Sequence, residues 1–203
     1  MSCSKKLGNG PLIELLAWGR AELLRAGIDE AQEECERILM KLLGCARSEI
    51  YLKQHELEAS GVRGRFLELV EKRTRRIPLA YLLNEADFWK ETLFVDERCL
   101  IPRPETEILV EAVLREINKG GQAPFFRGLA PFPEEKVPDP LKQKTEPVPF
   151  PAFSFLDIGT GSGAIAVAIL RACPEARGTL LDISGGALEV AKINLEKYGL
   201  QER

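Results

Sequence analysis

The sequence predicts an α/β protein in which a helical bundle and a β-hairpin precede a domain with a parallel sheet. Three observations predict this fold class: leucine-rich helical stripes near the N-terminus, two short β-prone runs, and a strand–glycine turn–helix pattern near residue 160. Their order predicts three segments, namely a helical domain over 1–86, a hairpin linker over 87–99 and an α/β domain over 100–203.

Composition excludes several classes of protein. The chain has 203 residues, of which 45% are hydrophobic, and a net charge of −3, which is typical of a globular protein and does not favour a nucleic-acid partner. Glu14 and Arg20 interrupt the first apolar run, which excludes a membrane span there. The five cysteines lack C-x-x-C spacing and His55 is the sole histidine, so we expect reduced thiols, no metal site and a cytoplasmic location. His55 is expected at the surface.

Apolar residues at helical spacing predict the N-terminal bundle. Proline suits a first helical position and glycine a stop, and these signals place helices at Pro11–Ala26, Ala31–Leu43, Ser48–Leu52 and Gly61–Arg76. Leu12, Leu15, Leu16, Leu23 and Leu24 are expected on the buried stripe of the first helix. The basic cluster Lys72–Arg76 either docks an acidic partner surface or forms a solvated helix face.

The glycine-rich stretch after Ser154 is the strongest motif of the α/β part. An apolar strand reaches Asp157, glycines alternate at 159, 161 and 163, and a helix follows. Asp182 closes the next apolar run. Glycine lets a ligand approach the main chain, and the start of a helix offers free amides with a partial positive charge. The pattern predicts a cofactor site in a Rossmann-like domain.

Three interpretations of this turn differ in the ligand. Gly159, Gly161 and Ala164 satisfy the dinucleotide fingerprint G-x-G-x-x-G/A, with Asp182 where a ribose acid is expected. Asp157 directly before the turn instead favours S-adenosylmethionine, because D-x-G-x-G-x-G with a later acid is similar to the cofactor site of methyltransferases. In the third interpretation the turn only packs a helix on a strand.

A second motif lies in the proline loop, residues 100–107. Pro102 and Pro104 stiffen the loop and delay a helix until after Pro104. The loop either forms a wall of a substrate pocket, presenting Arg103 and Thr106, or is a simple proline-capped helix start. The apolar face of that helix is predicted as Ile108, Leu109, Ala112 and Val113.

Both motifs together resemble the glutamine-N5 methyltransferases of peptide chain release factors. The similar runs are Ile-Pro-Arg-Pro-Glu-Thr-Glu at 101–107, Leu-Asp-Ile-Gly-Thr-Gly-Ser-Gly at 156–163, and Leu-Asp-Ile-Ser at 181–184, followed by Ala187, Leu188 and Asn194. The run Ile77–Leu82 and the leucine-rich helical N-terminus are also similar to that family. The resemblance implies a class I methyltransferase domain and S-adenosylmethionine as the cofactor.

The resemblance also implies roles for individual residues. A substrate pocket would be bordered by Arg103, Pro104, Glu105 and Thr106. The ribose would be held by Asp182, and the bundle would bind the release factor. The protein is expected to be a monomer without membrane or direct nucleic-acid contacts. The implied cofactor-binding residues are Asp157, Gly159, Thr160, Gly161, Ser162, Gly163, Asp182 and Ile183.

The sequence departs from the family pattern in three places. Ala80 and Asn84 stand where the family usually has glutamine and glycine. Segment 118–153 is proline-rich and predicted to be an insertion. The family's Asn-Pro-Pro-Tyr motif, which would hold the acceptor amide, does not occur before Arg203, so the chain is expected to be truncated and inactive by itself. Two alternatives remain: a non-catalytic protein that binds release factors, and a nicotinamide oxidoreductase.

Overall fold

The computed structural model describes residues 11–52, 61–118 and 152–203, which form two compact units divided between Glu85 and Ala86. The predictions for His55 and for the interior of segment 118–153 lie outside these residues. Within the described ranges no helix is both long and apolar enough to cross a membrane, and no cluster of three metal-binding side chains occurs. The helices and strands of these ranges confirm the predicted α/β class.

The first unit consists of helices close to the predicted ones. Leu24 is exposed, contrary to its predicted place in the core, because the buried stripe of the first helix runs through Leu12, Leu15, Leu16, Gly19 and Leu23. The helices are α1 (Leu12–Arg25), α2 (Ala31–Leu43), α3 (Arg47–Leu52), α4 (Val62–Thr74) and α5 (Leu79–Leu83).

Close packing of α1 depends on a glycine. A Cβ at Gly19 would lie 2.7 Å from Phe66 Cζ and 2.9 Å from Cys35 Sγ, both of which are buried. Only glycine therefore lets α1 approach α2 and α4 so closely. Burial raises the pKa of the Cys35 thiol to about 12, so this cysteine packs as an apolar group and is not a nucleophile.

Helix α2 carries two carboxylates that bind its neighbours. Glu34 accepts two hydrogen bonds from Arg73 of α4, at 2.7 and 3.0 Å. Glu36 is buried and accepts hydrogen bonds from Gln32 and Tyr51, while Arg47 of α3 pairs with it at 2.6 Å. Burial alone would raise the Glu36 pKa, but these hydrogen bonds outweigh it and hold the pKa below its ordinary value.

Stability in acid should depend on Glu36. A carboxyl whose pKa is lowered by folding stabilises the protein above its unfolded pKa, and this contribution is lost as pH falls through the folded pKa. Glu36→Gln should therefore lower the unfolding temperature of the first unit at pH near 7, and the difference from wild type should shrink in acid. Thermal unfolding followed by circular dichroism measures it. Glu33→Gln, an exposed acid of the same helix, is the control, and an equal loss in both variants would contradict the assignment.

The fifth helix was not predicted. Pro78 precedes α5, and Asn84 ends it with a φ of 54°, in the left-handed region where asparagine is among the few tolerated side chains. The left-handed conformation fits the glycine that the family resemblance leads us to expect at position 84. The helix is short, and its Leu-rich run alone did not distinguish it from a linker.

The described residues of the second unit, 86–118 and 152–203, form two small sheets and three α-helices. Strands β1 (Ala86–Phe88) and β2 (Glu91–Leu93) pair antiparallel, and β3 (Ser154–Ile158) pairs parallel with β4 (Arg177–Leu181). A 3-10 turn over Pro104–Thr106 leads into a helix. The helices are α6 (Glu107–Asn118), α7 (Ala164–Ala172) and α8 (Gly185–Lys197).

The predicted hairpin exists, but its strands are shifted. We expected strands over 87–90 and 92–96, whereas the chain turns at Trp89 and Lys90. Trp89 adopts a φ of 59°, and its amide donates a hydrogen bond of 2.9 Å to Glu107 Oε1. A carboxylate at the start of α6 therefore fixes the turn. The sequence alone did not indicate the contact between Trp89 and Glu107, because an aromatic residue in a β-prone run is expected within a strand.

The buried face of α6 also differs from the prediction. Ile108 and Leu109 are exposed, whereas Val110 is buried in the second core with Leu114 and Ile117 packed against it. Ile108 and Leu109 lie on the exposed side of the helix, whereas the predicted Ala112 and Val113 are half-buried. The error in the first turn arises because apolar residues surround it and leave the periodicity ambiguous. Val110 packs with α7 residues in the same core.

Candidate functional site

The glycine turn, residues 159–163, connects β3 to α7 at the end of the parallel sheet. Gly159, Gly161 and Gly163 all have positive φ angles, at 75°, 56° and 78°. Amides of residues 159 and 160 donate to the Leu181 carbonyl at 2.8 and 3.0 Å, which ties the turn to β4. The three glycines are required because other side chains rarely adopt this backbone conformation.

Asp157 lies beneath the turn and is only 8% exposed. Its Oδ2 accepts a hydrogen bond of 2.7 Å from the Thr160 hydroxyl, and the carboxylate also accepts from the Ala166 amide in the first turn of α7. No lysine or arginine in the described part of the chain forms an ion pair with it. Burial raises the Asp157 pKa above its ordinary value, although the two hydrogen bonds oppose the shift.

Asp182 approaches the turn from the other strand. Its Oδ2 accepts a hydrogen bond of 2.8 Å from the Gly161 amide, and Oδ1 accepts one of 2.9 Å from Ser184. These amides lower the Asp182 pKa, so the side chain is a carboxylate at neutral pH. Each carboxylate oxygen has a second lone pair with which it can accept a further hydrogen bond.

The structure brings together most of the predicted cofactor residues. Thr160 and Ser162 are buried within the turn, and Asp157 and Asp182 contact it from the two strands. Ile183 is fully exposed directly after β4. An exposed apolar side chain beside a carboxylate can pack against a flat ring of a ligand. The role of Ile183 in cofactor binding stays a prediction.

The four predicted pocket residues lie at the start of α6. Arg103, Pro104 and Glu105 are exposed, and Thr106 donates its amide to the Arg103 carbonyl at 3.0 Å, which closes the 3-10 turn. Helix α6 packs against α7. The role of residues 103–106 in a substrate pocket stays a prediction.

A segment that begins with strand β2 of the hairpin is held along α8. This docking segment, residues 91–98, runs antiparallel to α8: the Thr92 carbonyl accepts a hydrogen bond of 2.7 Å from Tyr198, and Arg98 donates to Glu189 at 2.7 Å. Lys197 also donates to the Thr92 carbonyl, and Glu91 pairs with Arg171 of α7 at 2.9 Å. The docking segment leads directly into the proline loop, so α8 determines where that loop begins.

Asn194 of α8 links the docking segment to the glycine turn. Its side chain is 0% exposed, and its Oδ1 accepts from the Phe94 amide at 2.7 Å. Its Nδ2 donates to the carbonyls of Phe94 and Ser162, both at 2.9 Å. One buried amide therefore contacts both segments.

This link was not predicted from the sequence, where Asn194 entered only as part of the family resemblance. A signal was present, because Ala187, Val190, Ala191 and Asn194 follow the spacing of one helix face and all four are buried. A polar residue on such a face requires partners, and those partners are backbone groups that a side-chain pattern does not reveal.

The site is suited to a small polar ligand with positive charge. A buried carboxylate without a cationic partner favours a cation, and the carboxylate of Asp182 suits hydroxyl donors. Three of the four described thiols, Cys35, Cys99 and Cys173, are buried with raised pKa values, chiefly because burial disfavours their thiolates. They offer no thiolate nucleophile at neutral pH.

Comparison with known proteins agrees with this arrangement. Residues 14–83 match the PrmC N-terminal domain, and residues 146–203 match the methyltransferase small domain. A release factor glutamine methyltransferase of Rhodopirellula baltica is 33% identical over 193 residues, which cover 95% of this chain and 56% of the relative. The corresponding protein of Chlorobaculum tepidum is 33% identical over 198 residues, covering 95% of this chain and 57% of the relative.

The protein of the same name from Caulobacter vibrioides is 33% identical over 190 residues, covering 92% of this chain and 55% of the relative. The chain thus spans somewhat more than half the length of these curated relatives. The two domain matches correspond to the helical unit and to the unit with the glycine turn. The predicted family is thereby confirmed: the chain is a relative of the release factor glutamine methyltransferases that carries a PrmC N-terminal domain followed by a methyltransferase small domain.

Proposed function

We propose that the glycine turn binds S-adenosylmethionine and that the protein transfers its methyl group to the side-chain amide nitrogen of a release-factor glutamine. The observation that carries the proposal is Asp157, a buried carboxylate at the turn without a cationic partner among the described residues. The methionine end of this cofactor has an ammonium and a sulfonium, and either cation would stabilise the ionised Asp157. A nicotinamide dinucleotide instead places a pyrophosphate at such a turn, where a buried carboxylate repels it.

The remaining residues fit the other parts of the cofactor. Asp182 would accept hydrogen bonds from the ribose hydroxyls, because an ionised carboxylate has about four lone-pair sites. The backbone amides of Gly161, Ile183 and Ser184 do not use all of them. Ile183 would pack against the adenine.

The chemistry requires positioning more than acid or base strength. S-Adenosylmethionine supplies an electrophilic methyl group: as the new N–C bond forms, the S–C bond breaks with its electron pair left on sulfur, and the amide proton goes to solvent. An amide nitrogen is a weak nucleophile, so its alignment with the methyl group is the main contribution of the protein. Arg103, Pro104, Glu105 and Thr106 would border the acceptor pocket.

We infer that the helical domain, residues 1–86, recognises the release factor, that the α/β domain, residues 100–203, carries out methyl transfer, and that residues 87–99 link the two. Names of the relatives support this partner and reaction. We further propose that the protein is a cytoplasmic monomer that contacts neither membranes nor nucleic acid directly.

Titration calorimetry and label transfer together test the function. The 203-residue chain should bind S-adenosylmethionine and should not bind NADH. A reaction with release factor and methyl-tritiated cofactor should then label glutamine when the reading frame beyond codon 203 is included, if the gene continues. Binding of NADH in place of S-adenosylmethionine would overturn the cofactor assignment. If the extended chain binds the cofactor but leaves the release factor unlabelled, the assignment of release-factor glutamine as the acceptor is overturned.

Loss of Asp182 should weaken cofactor binding. In Asp182→Ala the ribose would lose its acceptor and the Gly161 amide its partner, so we expect an affinity loss of about tenfold to a hundredfold, the range for hydrogen bonds to a charged group. Asp182→Asn keeps one carbonyl acceptor and should lose less. Calorimetry with the same cofactor measures both. Equal affinity of Asp182→Ala and wild type would show that the ribose lies elsewhere.

A further inference from the structure

We propose that Asn194 is a positioning residue for methyl transfer, which holds the glycine turn in register with the docking segment and hence with the proline loop. The inference rests on the proposed function, because the turn is taken as the cofactor site and the loop as the acceptor wall. Asn194 itself would touch neither the cofactor nor the acceptor, since its hydrogen-bond partners are the backbone groups of Phe94 and Ser162.

The hydrogen-bond geometry of Asn194 leaves little freedom. Both N–H groups of the amide are used, one on the Phe94 carbonyl and one on the Ser162 carbonyl, and the amide oxygen accepts from Phe94. The side chain is completely buried, so water cannot replace a partner that moves away. A shift of either segment along α8 would therefore break at least one of these three hydrogen bonds, of which the bond to Ser162 is fully buried.

Other contacts of the docking segment lack this link to the turn. Tyr198, Lys197 and Glu189 hold the docking segment on α8 through Thr92 and Arg98. Asn194 instead joins Phe94 of the docking segment to Ser162 of the turn through one side chain. The turn is also packed closely on α8, because a Cβ on Gly163 would lie 3.2 Å from the Ala191 Cβ. Asn194 and this packing contact fix the turn from the same helix.

Two ligands can separate positioning from general stability. S-Adenosylhomocysteine has the amino-acid end that would occupy the turn, whereas 5′-methylthioadenosine has the same adenosine without that end. If Asn194 acts through the Ser162 carbonyl, replacing Asn194 should weaken the binding of S-adenosylhomocysteine strongly and that of methylthioadenosine little. A general loosening of the unit would weaken both alike.

The variants are Asn194→Ala and Asn194→Ser, with Tyr198→Phe as the matched control. Tyr198→Phe removes one hydrogen bond between the same helix and the same docking segment but leaves the turn untouched, and Lys197 still donates to the Thr92 carbonyl. Asn194→Ser retains one hydroxyl donor and serves if the alanine variant does not fold. Circular dichroism establishes that each variant is folded before binding is measured.

We expect calorimetry to show that Asn194→Ala weakens S-adenosylhomocysteine binding at least about tenfold and changes methylthioadenosine binding by less than about threefold. Tyr198→Phe should leave both affinities near wild type. An equal loss for the two ligands, or unchanged binding of S-adenosylhomocysteine, would overturn the positioning role. If wild type binds neither ligand, the proposed function is overturned instead.

Hydrogen exchange gives a readout that does not need a ligand. Amides of residues 161–164 should exchange at least about tenfold faster in Asn194→Ala than in Tyr198→Phe, because the first variant releases the turn and the second does not. Equal exchange at these amides in the two folded variants would overturn the link between Asn194 and the turn, whatever the binding experiments show.

Discussion

Asp157→Asn is expected to abolish most S-adenosylmethionine binding without destabilising the unliganded protein. Asparagine has nearly the same shape and can still accept a hydrogen bond from Thr160 or Ala166, but it cannot neutralise a cation. We expect the affinity to fall more than about tenfold, as for lost hydrogen bonds between charged groups. Calorimetry at pH near 7 measures the affinity, and chemical unfolding measures the stability.

The sign of the stability effect follows from the pKa. Folding raises the Asp157 pKa above its value in the unfolded chain. The free energy of unfolding therefore falls as pH rises from the unfolded to the folded pKa, and the loss persists at higher pH. Removing the charge removes that cost at neutral pH, and the midpoint of unfolding should not fall. Glu175→Gln, which removes one negative charge at an exposed turn, should leave both binding and stability unchanged.

Cofactor binding should also weaken as pH falls through the raised Asp157 pKa, because the protonated side chain no longer pairs with a cation. In Asp157→Asn this part of the pH dependence should vanish. A variant that binds as tightly as wild type would show that the cation is not held by Asp157.

Gly163→Ala should be the most damaging change among the alanine substitutions in the turn. Its φ of 78° is unfavourable for alanine, and the new Cβ would lie 3.2 Å from the Ala191 Cβ and 3.3 Å from the Ala191 Cα. A left-handed conformation costs about 1–2 kcal/mol, and crowding against a helix backbone costs a further 1–3 kcal/mol, approximately. Denaturant unfolding without cofactor measures the sum.

Gly161→Ala separates these two contributions. Its φ of 56° is also left-handed, but a Cβ there meets nothing within 4 Å among the described residues, so only the conformational cost applies. We therefore expect Gly161→Ala to lose clearly less stability than Gly163→Ala. Equal losses would mean that α7 moves away from α8 without cost, which would contradict the packing described for Ala191.

Local signals explain which parts of the fold were predictable. Helix α2 has the predicted limits because Gly44 stops it in a left-handed conformation, a signal carried by one residue. The glycine turn was predictable for the same reason. The hairpin strands and the face of α6 were not, because Trp89 is fixed by a distant carboxylate and the apolar residues of α6 surround its axis.

Within the candidate site, the sequence indicated the acids but not their partners. Asp157 and Asp182 stand at strand ends, where a pattern locates them. Their bonds to Thr160 and Gly161 depend on how the turn closes. Asn194 shows the limit most clearly, since its role depends on two main-chain segments that lie 32 and 100 residues away in the sequence.

Main-chain contacts between the docking segment and α8 have a consequence for engineering. Thr92 and Phe94 are held through their carbonyl and amide groups, so the docking does not depend on their side chains. A labelled cysteine at position 92 would remove the hydrogen bond of 2.9 Å that the Thr92 hydroxyl donates to Asp87 across the hairpin, but it would keep the main-chain contacts with the helix. A second label on exposed Lys192 would report the distance across this contact.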